Sequence, residues 1–175
     1  MIVAVDATFL TLLLNPNAEP RPNPKTNTAT THCQLRIEAL IEKLTQQKAK
    51  IIVPTPALAE ALCAAESAEQ YIAPLSQLSA IEIAEFCTKA AIELAALTKD
   101  AIASGDKRAG ARGEWQKIKI DRQIVAIAKV HKCQTLFTDD DAQTNFAEAI
   151  GMKVVHSWDL ELPARYAQRD MLDES

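Results

Sequence analysis

Aromatic residues are scarce in this chain: Phe, Trp and Tyr make up 5% of its 175 residues. That makes a base-stacking platform a poor basis for any nucleic-acid contact. Sulfur ligands are scattered. Cys33, Cys63, Cys87 and Cys133 form no Cys-x-x-Cys pair, and with His32, His131 and His156 they give no zinc-finger spacing. His131 and Cys133, two apart near an expected helix end, read as ordinary buried or solvated residues. Unpaired thiols of this kind suit a reducing compartment. A long apolar run is missing too. The stretch from Ile2 to Leu14 is interrupted by Asp6, has no basic segment before it, and is too short to span a bilayer. A cytoplasmic protein with no membrane contact is the expectation. Excess positive charge is also lacking. A formal charge of −4 argues against simple electrostatic coating of nucleic acid. It leaves open a site in which acids hold cations and the cations meet phosphate.

What is present is a core. The 48% hydrophobic content fits one globular domain of this length, and no repeat or interdomain linker is visible. Ile2–Val5, Lys50–Val53, Leu78–Ala84, Thr135–Phe137 and Lys153–Val155 read as strands, the first two buried on both faces. Helical spacing occupies Thr8–Leu14, the stretch from Thr31 to Leu44, a helix capped by Thr55 with Pro56 in its first turn, about Ala64–Ala73, Glu85–Ala103, Glu114–Lys132 and Gln143–Ile150. Gly151 is expected to stop the last of these. Asn15–Thr30, with four prolines, reads as an extended loop whose length suits a mobile flap or a partner contact. Ser104–Gly113, with three of the four glycines, reads as a second loop. Strands alternating with helices imply an α/β fold: a three-layer α/β/α sandwich on a central parallel sheet of about five strands. Residues 1–156 form the expected domain. Residues 157–175 form a C-terminal tail, docked at Trp158 and frayed from Asp170 onward.

In an open parallel sheet, ligands bind outside the carboxyl ends of the strands. Asp6 follows the first strand there, and Asp139, Asp140 and Asp141 follow the fourth. Glu60 lies in an otherwise apolar helical turn beyond the second strand. Asp121 borders the buried stripe made by Ile118, Ile124 and Val125, where an acid is costly without a partner. Carboxylates brought together repel and hold their protons more tightly, and a divalent cation reverses that. Hard oxygen donors suit Mg2+ or Mn2+, which can activate water and stabilise the leaving oxygen of a phosphodiester. A simpler role is open to each acid: Asp6 as a helix cap, Glu60 as a solvated side chain, Asp121 as a partner of Lys117, and at least one Asp of the triplet as an N-cap.

Four segments in this order resemble the PIN-domain family, including the VapC-type toxins of bacterial toxin–antitoxin pairs. They are Val3-Ala4-Val5-Asp6-Ala7-Thr8, then Val53 through Glu60, then Asp121-Arg122-Gln123-Ile124-Val125-Ala126-Ile127-Ala128, and Thr135 through Asp140. The likeness runs from about Met1 to Val155. It implies a PIN-like nuclease domain acting as a metal-dependent ribonuclease, with Asp6, Glu60, Asp121 and Asp140 as catalytic, metal-site acids. Asp139 is the alternative fourth acid, and Thr8 and Thr138 are supporting hydroxyls. It implies Mg2+ or Mn2+ as cofactor, RNA as substrate, an antitoxin protein as partner, and a homodimer. The loop from Asn15 to Thr30 departs from compact toxin members.

Lys107, Arg108, Arg112, Lys117, Lys119 and Arg122 cluster before and around Asp121. They read as a phosphate-positioning patch, or more simply as a solvated loop and helix face. Two other functions stay open. A haloacid-dehalogenase-like phosphatase would use Asp6 as nucleophile, but the second acid it needs two positions later is Thr8 here. A non-catalytic PIN-like binding module would keep the fold without cleavage.

Overall fold

Short, wholly apolar segments become the buried strands of this molecule because each can be covered on both faces. The computed structural model describes residues 1–108, 110–111, 114–164 and 166. Strands β1 (Ile2–Val5), β2 (Lys50–Pro54), β3 (Ile81–Ala84), β4 (Thr135–Phe137) and β5 (Lys153–Val155) form a parallel sheet in the order β3-β2-β1-β4-β5. Val3 stands opposite Ile51 of β2 and Thr135 of β4, and Val5 opposite Phe137. The chain winds outward to β2 and β3 on one side of β1, and to β4 and β5 on the other. A crevice therefore opens at the carboxyl end of β1.

The strand period of two separates two cores. Val3, Val5, Ile51, Val53 and Phe137 join Phe9, Leu10, Ile37, Leu44, Tyr71 and Leu75 in the first. These come from α1 (Ala7–Leu14), α2 (Cys33–Gln46) and α4 (Ala68–Gln77), with Leu58 and Ala61 from α3 (Thr55–Cys63). Ala4, Ile52 and Leu136 point the other way, to Ala90, Ile118, Val125 and Phe146. Those lie on α5 (Thr88–Ala103), α6 (Trp115–Val130) and α7 (Asp141–Ala149). The layering is the three-layer α/β/α arrangement expected from the sequence. Among the described residues no helix is long and apolar enough to cross a membrane.

Several boundaries differ from expectation, each for a local reason. Thr55 is the first residue of α3 rather than its cap. Pro54 precedes the helix without a side-chain bond, and Pro56 occupies the first turn, where its missing N–H costs nothing. Helix α4 begins at Ala68 instead of Ala64, because the Ser67 hydroxyl accepts from the Gln70 amide and supplies a cap the intervening turn lacks. The loop from Asn15 to Thr30 is tied locally: the Asn23 amide donates to the Thr28 carbonyl, and the Asn23 side chain accepts from the Lys25 amide. Beyond residue 156 the chain stays on the domain. Ser157–Asp159 form a 3-10 turn, Leu160 enters the first core, and the Arg36 guanidinium donates to the Leu160 carbonyl. Ser157 and Leu160 carry this docking; Trp158, expected to do so, is half-buried and stacks on His156. The expected fraying from Asp170 lies outside the described residues.

Candidate active site

The buried end of β1 delivers Asp6 to the crevice. It is 1% exposed and caps α1, its Oδ1 accepting from the Phe9 amide at 2.8 Å. Its Oδ2 accepts from the Thr138 hydroxyl at 2.6 Å. That hydroxyl in turn accepts from the Asp140 amide at 3.0 Å, so one threonine at the end of β4 links two of the acids. Burial, against the pull of Thr138 and the Phe9 amide and aided by the charges of Asp139 and Asp140, pushes Asp6 up to about 7. The cap role weighed for Asp6 is real, and it fixes the carboxylate's direction.

Asp140 is the N-cap of α7, its Oδ1 accepting from the amides of Ala142 and Gln143. Gln143 stands three residues after the cap, the spacing at which a glutamine often folds back on the cap's own amide. Here it reaches across instead and donates from Nε2 to Asp121 Oδ1 at 3.1 Å, and its buried Oε1 has no partner among the described residues. Asp121, 1% exposed on α6, presents its other oxygen to Lys117, one turn earlier, at 3.5 Å. The same ammonium pairs with Asp140 Oδ2. The pairing with Lys117 foreseen for Asp121 is thus present, and shared.

The electrostatics follow from this packing. Burial and the Asp140 charge raise Asp121 despite Lys117 and Gln143. Burial pushes Asp140 the same way, but Lys117 and the two α7 amides outweigh it and hold that carboxyl below its usual range. Burial pulls Lys117 down, yet its two carboxylates more than restore it. Helix α3 leaves the end of β2 and touches both α1 and α6. It brings Glu60, exposed, near enough that the charges of Asp121 and Asp140 add to partial burial in raising it. Asp6, Glu60, Asp121 and Asp140 therefore share one electrostatic neighbourhood.

Asp139 turns elsewhere. Its two oxygens accept from the Ser157 amide at 2.7 Å and the Ser157 hydroxyl at 2.6 Å, and burial raises it against those bonds. Thr8 lies half-buried in the first turn of α1, lining a cleft of about 250 Å³ with Thr11, Glu19 and Arg21. A larger cleft of about 390 Å³ opens beside Asp140 and Lys117, lined also by Arg21, Ala111, Asp141 and Asn145.

The basic patch divides. Lys107, Arg108 and Lys119 are exposed, and the Lys107 and Lys119 ammonium groups lie 4.2 and 5.7 Å from the Trp115 ring centre. Arg122 departs from expectation: it is 3% exposed. Its guanidinium donates to the Lys107 carbonyl and the Thr98 hydroxyl and sits against Trp115 and Phe146, so it anchors the loop rather than facing solvent. Arg112 lies outside the described residues. Arg21, Gln143 and Ser157 were missed from sequence. Gln143 alone had a local signal, its offset from Asp140.

The donor set is all oxygen, negatively charged and partly raised toward neutrality, which suits a hard divalent cation. As the side chains stand, no three His, Cys, Asp or Glu among the described residues are grouped closely enough to hold an ion. Lys117 stands between two of the acids. The residues fit such an ion in chemistry: hard oxygen donors, with Asp140 neighbouring each of Asp6, Glu60 and Asp121.

No protein-family model matches the chain, and no curated protein matches it by sequence. Solved structures do match in fold. A chain of VapBC2 from Rickettsia felis, crystallised with a DNA fragment from its promoter, is 17% identical with a TM-score of 0.54, covering 89% of this chain and 98% of that one. A chain of DNA-bound VapBC from Salmonella typhimurium is 14% identical with a TM-score of 0.56, covering 90% and 98%. A chain of VapBC-1 from nontypeable Haemophilus influenzae is 12% identical with a TM-score of 0.53, also covering 90% and 98%. The fold is the PIN-like one that the sequence resemblance implies.

Proposed function

We propose that this chain is a PIN-type endoribonuclease dependent on Mg2+ or Mn2+, the toxin partner of an antitoxin protein. The observation that carries the reading is a chain of contacts: Thr138 links Asp6 to Asp140, Lys117 links Asp140 to Asp121, and Glu60 lies within reach of the charges of Asp121 and Asp140. The likeness in fold to VapBC chains supports the toxin–antitoxin half of it. A homodimer and a cytoplasmic location belong to the same reading.

Asp6, Glu60, Asp121 and Asp140 would hold the cation. When bound, it supplies a more acidic water and neutralises charge developing on the phosphate. Thr138 fixes Asp6 and the Asp140 backbone, and Gln143 fixes Asp121, so the acids are aimed before substrate arrives. Asp140 is favoured over Asp139 as the fourth acid because its Oδ2 shares Lys117 with Asp121, whereas Asp139 turns to Ser157, away from that pair. Lys117 and Arg21 line the adjoining cleft, where they can meet the phosphate backbone. The phosphatase reading loses ground: Asp6 is engaged at both oxygens and almost wholly buried, a poor setting for an attacking carboxylate.

The test is cleavage of a mixed RNA population with Mn2+ by wild type, Asp6→Asn and Asp121→Asn. Wild type cleaves, and each substitution lowers the rate at least a hundredfold while the protein stays folded by circular dichroism. Equal cleavage by all three would remove the acids from the chemistry.

A further inference from the structure

Lys117 is an unusual neighbour for an acid cluster that is to hold a cation. Asp121 Oδ1 is held by Gln143, and Asp140 Oδ1 by the α7 amides. The two remaining oxygens, Asp121 Oδ2 and Asp140 Oδ2, both face one point, and the Lys117 ammonium occupies it. Its side chain is 49% exposed and also lines the larger cleft, so the flexible four-carbon stem has an open route away from the acids. The buried Gln143 Oε1, without a partner among the described residues, marks an acceptor beside the same pair that the ammonium does not serve.

Resting on the nuclease reading, we propose that Lys117 is a built-in counter-ion: it neutralises Asp121 and Asp140 until a divalent cation displaces it into the cleft. A dication and an ammonium on the same two oxygens would repel each other, so the two occupancies exclude one another. Displaced toward Arg21 and Asn145, Lys117 faces the phosphate backbone of the substrate. The protein thus trades one cation for another and gains a positioning residue at the moment the site becomes loaded.

Two measurements test this on the full chain. The first is Mn2+ affinity by calorimetry for wild type and Lys117→Gln, with melting temperature recorded without divalent cation. Lys117→Gln melts lower without Mn2+ and binds Mn2+ about tenfold more tightly. Unchanged or weaker affinity in the folded variant overturns the proposal and leaves the nuclease reading standing. Loss of Mn2+ binding in both proteins overturns the nuclease reading itself, and this inference with it. The second uses wild type alone: reductive methylation of Lys117, read by mass spectrometry, with and without Mn2+. Faster labelling with Mn2+ supports displacement. Equal or slower labelling, with Mn2+ bound, overturns it even where Lys117→Gln fails to fold.

Discussion

Asp6 carries the most strongly perturbed proton of the four acids. Its folded value, about 7 against the ordinary 3.8, means the folded chain binds that proton more tightly than the unfolded chain. The stability this contributes is complete below about pH 4 and is lost as pH rises through about 7. Asp6→Asn keeps an acceptor for the Phe9 amide and removes the charge. Measured without divalent cation, wild type therefore loses several degrees of melting temperature between pH 5 and 8 that Asp6→Asn retains. Adding Mn2+ at pH 8 restores wild type alone. Parallel melting curves for the two proteins across that range would contradict the account. Arg122 makes the opposite kind of prediction, because it is structural. Arg122→Met removes the bonds to Lys107 and Thr98 and costs about 1–3 kcal/mol, seen as a lower melting temperature. Mn2+ affinity stays as in wild type; a loss of metal binding would place Arg122 in the site after all.

At the scale of elements, the corner between β4 and α7 does most to assemble the site. Thr138, Asp139 and Asp140 occupy three successive positions with three partners: Asp6, Ser157 and Lys117. Ser157→Ala strips one bond from a buried carboxylate and costs roughly 1–3 kcal/mol, a fall of about 2–4 °C per kcal/mol in a chain of this size. Thermal melting reads it, and an unchanged midpoint would mean that Asp139 does not depend on the turn after β5. The strands and the acids that follow them were legible in the sequence because an apolar run ending in a carboxylate is a local signal. So was Asp121, set inside a stripe of isoleucines. The start of α4 was legible as well, in the capping-box spacing of Ser67 with Gln70 three residues on, but the expectation of Ala64 followed the run of alanines around it, which itself favours helix. Ser157 and Arg21 were invisible: their partners lie 18 and 118 positions away. Burial of Arg122 was hidden because charge patterning alone reads a helix arginine as solvated.

For the molecule as a whole, topology sets where chemistry can occur. Winding outward from β1 in both directions opens a crevice at the carboxyl ends of the strands, where Asp6 follows β1 and Asp140 lies just beyond β4. Around it the chain is net negative, −4 overall, with a cationic rim of Lys107, Arg108, Lys117 and Lys119. A rim of that size predicts a modest salt dependence for single-stranded RNA, a log–log slope of about −3. A slope near zero would remove these residues from the phosphate path. The most direct test of the shared-cation claim is an anomalous-scattering map from crystals soaked in Mn2+. The account predicts one strong peak within about 2.5 Å of carboxylate oxygens from Asp121 and Asp140, close to Asp6 and Glu60, with the Lys117 ammonium turned into the cleft. A peak at some other surface, or bound Mn2+ that leaves Lys117 between Asp121 and Asp140, would contradict it.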